Sequence, residues 1–174
     1  MRAWTYRPVR IRQTGLSWLE FSVVAALLAI LAGSLLTALL YYEELGEAAV
    51  VQLTVQNVRS GLRYQIADRL IQGRARDMGE LLRVNPLSWV ARSPEGYVGS
   101  VANAEIGSLP KGSWFYDTDR AELGYIPKLR FHLSVERGEP TILRWRMRAL
   151  KSDVPWEVEG LSLDPVNPYV WFSG

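Results

Sequence analysis

An α+β fold, a long N-terminal helix packed on an antiparallel β-sheet, follows from three features of the 174-residue sequence. Leu16 to Tyr42 is apolar apart from one charged residue, Glu20. Apolar residues then recur every three or four positions to Leu70, the spacing of one helix face. After Ser113 the period falls to two, the mark of strands with one buried side. Helix first and strands afterward is the order of an α+β chain.

Residues 1–15 form a polar, basic leader holding Arg2, Arg7, Arg10 and Arg12 and no acid. By the positive-inside rule these arginines place the N-terminus in the cytoplasm and the domain 43–174 across the membrane. Residues 16–42 carry Phe21, Val23, Leu27, Leu31, Leu35 and Leu39 and exceed the roughly 20 apolar residues needed to span a bilayer. The run is too long for a signal peptide, whose apolar core is about 7–15 residues. Ala25, Ala29 and Gly33 repeat every fourth position, the small-xxx-small spacing that lets membrane helices approach closely. Alanine is also common in membrane helices, so a packing face and a plain lipid-facing stripe both stay open.

Tyr41 and Tyr42 suit an interface, and Glu43, Glu44 and Glu47 read as the exit into water. Val51, Val55, Val58, Leu62, Ile66 and Leu70 make the buried stripe of an amphipathic second half, opposed by Gln52, Gln56, Arg59, Arg63 and Asp68. One helix is thus expected from Leu16 to about Ile71, on the order of 80 Å long. Gly73 ends or loosens it, with a turn or two more before Asn85-Pro86. From Leu87 to Lys111, Gly, Pro, Ser and Asn mark a connecting loop with one short strand at most. Ser113–Asp117 and Glu122–Ile126 flank a turn at Thr118-Asp119-Arg120 and predict a hairpin. A second hairpin is expected to pair Leu129–Val135 with Leu143–Met147 through a turn at Gly138. A short edge strand over Glu157–Leu163 and a Pro-broken tail complete the chain.

A carboxylate near the start of a membrane helix is costly enough to imply a partner, and the segment holds no Lys, Arg or His. Cleavage after Gly15 would create an α-amine at Leu16, four residues from Glu20. At these residues, basic leader, Gly15, Leu16, Glu20 and long apolar helix, the chain resembles the type IV pilin and type II secretion pseudopilin family. The resemblance covers about the first quarter of the chain. It implies that a prepilin peptidase cuts after Gly15 and methylates Leu16, and that Glu20 neutralises the terminal amine of a neighbouring pilin-like subunit during filament assembly. The family usually starts its mature chain with Phe, where this one has Leu16, and often kinks the helix with a proline that is missing near Thr37. A straighter helix follows, with Gly33-Ser34 its weak point. Asn85-Pro86, Gly96–Gly99 and Gly112–Asp117 are similar to the soluble domains of minor pilin-like proteins of secretion and pilus systems. The alternative is an uncleaved single-pass inner-membrane protein with a periplasmic binding domain.

Composition narrows the function classes. The net charge of +2 includes four leader arginines, so residues 16–174 carry about −2 and offer no general basic surface for nucleic acid. The chain has no cysteine, which excludes disulfides, thiolate metal sites and cysteine catalysis. Stability rests on the core, for which 7 Trp, 8 Tyr and 4 Phe supply large units. No acid, base and nucleophile converge, so no enzyme, cofactor or metal is expected. His132, the one histidine, reads as a solvated residue on the polar face of a strand. Asp117, Asp119 and Glu122 offer oxygens of the kind that Ca²⁺ takes, as in some pseudopilins, but lack the ordered spacing of a calcium loop, and turn chemistry explains the aspartates. Arg144, Arg146 and Arg148 line one side of a strand, as a patch for an acidic partner or as cross-strand partners of acids such as Glu136.

Overall fold

A computed structural model describes residues 17–136, 141–151 and 158–172. The fold is α+β, with a long N-terminal helix followed by a mostly antiparallel sheet that packs on its C-terminal half. Helix α1 spans Trp18–Ile71 and contributes to two units, residues 1–41 and 42–174. In the first unit every described side chain is exposed, and an 18-residue stretch of α1 near the N-terminus has a mean hydropathy of 2.6. It is the one candidate membrane span among the described residues.

In the second unit, Val51, Val55, Val58 and Leu62 are buried, and Ile66 packs at the margin of the same core. Leu70 departs from the expected stripe and lies exposed, because α1 ends one residue later. Gly73 makes that end. At φ +71° it donates to Leu70 O at 3.1 Å while Arg74 N donates to Arg69 O at 2.8 Å, the paired bonds of a Schellman cap. The turns expected beyond Gly73 form a tighter 3₁₀ helix, Ala75–Arg83, whose Met78 and Leu81 are buried.

Seven strands follow: β1 Tyr97–Val101, β2 Trp114–Asp117, β3 Glu122–Tyr125, β4 Leu133–Val135, β5 Leu143–Lys151, β6 Val158–Pro165 and β7 Tyr169–Trp171. The main sheet has the order β1-β2-β3-β5-β6, and β4 pairs with β7 in a separate ribbon. The β2–β3 hairpin forms as expected, and β6 is the expected edge strand. The β1–β2 pair is parallel, a departure from a wholly antiparallel sheet.

The second predicted hairpin does not form. Both sides of β5 are occupied, by β3 and by β6, so β4 finds its partner in the tail strand β7 instead. Leu129 to His132 stay out of any strand, because the backbone N–H groups of Lys128, Leu129 and His132 are taken by glutamates of α1. The turn at Gly138 and the start of the strand expected at Glu157 lie outside the described residues.

On the helix side of the sheet, Trp114 packs on Trp145 and Tyr125 at ring-centroid distances of 5.6 and 4.7 Å. The strands β2 and β3 are buried on both faces, not one, because Ile106 of the 3₁₀ segment Asn103–Ser108 covers Phe115 and Ile126 from the other side. Gly124 faces Phe115 across the hairpin, and a Cβ there would lie 2.2 Å from a ring carbon. Only glycine fits that position.

Candidate functional site

Three groups of polar side chains stand out against these apolar surfaces. The first is at the start of α1. Ser17 N donates to Glu20 Oε2 at 2.8 Å and Glu20 N donates to Ser17 Oγ at 3.2 Å, the reciprocal bonds of a capping box. Glu20 therefore satisfies donors that every helix start leaves open. Gly15 and Leu16 lie outside the described residues. Ala25, Ala29 and Gly33 are exposed, and the space beside Gly33 is open to 4 Å. The hydroxyls of Ser34 and Thr37 turn back onto Leu31 O and Gly33 O, so each is satisfied within its own helix.

The second group is a pair of glutamates one turn apart in α1. Glu44 has no exposed surface. Its Oε1 accepts from His132 N at 2.9 Å and from the Trp171 indole at 3.1 Å, and its Oε2 contacts His132 Nδ1 at 2.9 Å. A carboxylate only accepts, so Nδ1 carries the hydrogen. Burial pushes the Glu44 pKa up, but the bonds from His132 and Trp171 together outweigh it and hold the carboxyl below the usual range. Glu47 accepts from Tyr125 Oη at 2.7 Å, Lys128 N at 2.6 Å and Leu129 N at 3.1 Å. Burial first, then the hydrogen bond to Glu47 and its charge, raise the Tyr125 hydroxyl far above its ordinary value.

These contacts correct two expectations. Glu44 and Glu47 are anchors for the chain from Tyr125 to His132, and Glu43 alone of the three is exposed. His132 is outside β4, bonded to Glu44 and stacked on Phe172 at 4.8 Å, so it is not merely a solvated surface residue. The signal for Glu44 was available in the sequence: it precedes Val51 by seven residues, two helical turns, and so continues the buried stripe.

The third group joins β2, β3 and β5. Asp117 and Glu122 face each other across the hairpin and are both buried. Arg144 Nη1 donates to both, at 2.9 and 3.0 Å, and Arg146 pairs with Glu122. The arginines thus have the expected cross-strand role, but toward Asp117 and Glu122 and not Glu136, since β5 pairs with β3. Arg148 is exposed further along β5. Asp117 also accepts from Asp119 N and Arg120 N, which is turn chemistry as expected, whereas Asp119 accepts from the distant Asn103 N at the start of the 3₁₀ segment. Among the described residues no three His, Cys, Asp or Glu side chains are placed to hold a metal ion.

A groove of about 380 Å³ lies between α1 and the ribbon, lined by Gln52, Gln56, Trp145, Tyr169 and Trp171 among others. Comparison of the chain with protein-family models, with curated proteins and with solved structures finds no match.

Proposed function

We propose that this chain is a minor pilin or pseudopilin subunit, processed by a prepilin peptidase after Gly15, methylated at Leu16 and assembled through its N-terminal helix into a type II secretion pseudopilus or a type IV pilus. Its role is structural and not enzymatic. Its N-terminus is cytoplasmic, its C-terminal domain is periplasmic, and its partners are the inner membrane and other pilin-like subunits, with no nucleic acid. The observation that carries this reading is Glu20, the single charge in an apolar segment whose side chains are all exposed, five residues after Gly15. In hydrocarbon that carboxylate and a free amine at Leu16 are each costly alone, and pairing between neighbouring subunits removes much of both costs while favouring one axial register. The exposed Ala25, Ala29 and Gly33 supply a face on which a second helix can lie close.

One observation favours the second reading, an uncleaved single-pass protein with a periplasmic binding domain. Glu20 is already satisfied within its own helix by Ser17, as an ordinary N-terminal cap would be. Crosslinking in membranes that hold the partner subunits separates the two. Glu20→Ala should insert and be cut normally yet lose crosslinks to its neighbours, and Glu20→Asp, one methylene shorter, should lose part of them. Equal crosslinking of all three proteins would leave Glu20 as a cap only and make the anchor the better account.

A further inference from the structure

The segment Lys128–His132, Lys-Leu-Arg-Phe-His, is held in place by its backbone. The N–H groups of Lys128 and Leu129 are bound by Glu47 at 2.6 and 3.1 Å, and that of His132 by Glu44 at 2.9 Å. A loop pinned at three N–H groups does not depend on Lys128, Arg130 or Phe131 for its shape. Those three side chains are exposed, Phe131 by 73%. Phe131 stands apart from Trp114, Phe115, Tyr116 and Trp145, which are almost wholly buried. Arg130 makes a long contact of 3.5 Å to Thr141 Oγ1, and the stem of Lys128 lies across Gly112.

The place of the pin gives this exposure a meaning. Glu44 follows Tyr42, where the apolar run ends, by two residues, about 3 Å of helix rise. The loop is therefore fastened to the turn of α1 that comes directly after the membrane segment. Glu44 and Glu47 are spent on the loop's own N–H groups, which leaves Glu43 as the exposed acid of that turn, while exposed Glu95 lines a cleft with Glu43 and Lys128. Two exposed cations one and three residues before an exposed aromatic ring fit an anionic bilayer surface, where an amphipathic or aromatic side chain sits at headgroup level and each cation strengthens association roughly five-fold.

We propose that Lys128–His132 is a membrane-surface loop, in which Lys128 and Arg130 bind the phosphates of anionic phospholipids and Phe131 inserts among the headgroups. This rests on the reading of the apolar segment as a bilayer span.

The native chain has no cysteine, so single labels can be placed on the full-length protein. Phe131→Cys, Leu31→Cys and Tyr64→Cys would each carry an environment-sensitive nitrobenzoxadiazole dye after reconstitution into phosphatidylcholine–phosphatidylglycerol vesicles. Tyr64 is exposed and about 30 Å along α1 from Glu44, so it reports bulk water. The expected result is quenching at 131 by nitroxides near the lipid headgroup, quenching at 31 by nitroxides deep in the acyl chains, and none at 64. Lys128→Gln with Arg130→Gln, or vesicles of phosphatidylcholine alone, should at least halve the signal at 131. Quenching at 31 with none at 131 overturns the loop while keeping the span. Silence at both overturns the span and the loop with it. A signal at 131 that ignores both the cations and the lipid charge overturns the headgroup contact.

Discussion

Replacing Glu44 tests how the second unit is tied together. Glu44→Ala leaves the His132 N–H and the Trp171 indole N–H without an acceptor and opens a space where a fully buried side chain stood. Each orphaned buried donor costs about 1–3 kcal/mol, so the variant should lose roughly 3–5 kcal/mol, a large part of the 5–15 kcal/mol typical of a domain. Glu44→Gln keeps an oxygen for the two donors on Oε1, and His132 can change tautomer to accept from the new amide. Only the charge assistance goes, and the loss should be about 1 kcal/mol. Urea unfolding of full-length protein in detergent, followed by circular dichroism, measures both. The acidic side of the same titration adds a second readout. The folded pKa of Glu44 lies below that of a free glutamate, so its stabilisation is present above about pH 4.3 and is lost as pH falls from there through the folded value. The gap between wild type and Glu44→Ala should therefore narrow on acidification. An Ala variant within about 0.5 kcal/mol of wild type at neutral pH would refute the anchoring role.

Gly124→Ala drives a Cβ to 2.2 Å from the fully buried Phe115 ring, and the overpacking should cost about 1–3 kcal/mol by the same urea assay. Arg144→Met leaves Asp117 and Glu122 facing each other with Arg146 alone to offset them, and should cost about 3–5 kcal/mol near neutral pH. Leu62→Asp puts a charge into the core beneath the sheet and should abolish the cooperative melting transition altogether; melting near the wild-type temperature would mean that α1 does not cover the sheet at that point.

Much of the fold was legible because its signals are local. The stripe from Val51 to Ile66, the end of α1 at Ile71 before Gly73, the β2–β3 hairpin and the alternation of buried Leu143, Trp145 and Met147 with the arginines between them each depend on near neighbours in sequence. Strand partnership did not read out in the same way. Leu129, Phe131, Leu133 and Val135 alternate like a strand, yet Glu44 and Glu47, more than 80 residues earlier, take two of the backbone donors that such a strand would use, those of Leu129 and His132, and that of Lys128 just before it. Local pattern cannot register that competition. Turn chemistry, a local signal, accounts for Asp117 but not for Asp119, whose partner Asn103 is distant, and the acids paired with Arg144 are not legible because they depend on β5 pairing with β3. Glu44 is legible by its spacing from Val51, but an acidic residue just past an apolar run has the same local pattern as a solvated exit. Burial with three hydrogen bonds makes the carboxylate at position 44 stable where a bare charge would not be.

The intact mass and N-terminal sequence of the protein taken from native membranes decide whether the chain is processed after Gly15. Wild type is expected to begin at N-methylated Leu16, whereas Gly15→Val, whose β-branched side chain obstructs a peptidase at that bond, should insert and remain full length. A wild-type chain that begins at Met1, or a Gly15→Val chain that is still cut after position 15, would contradict the assignment.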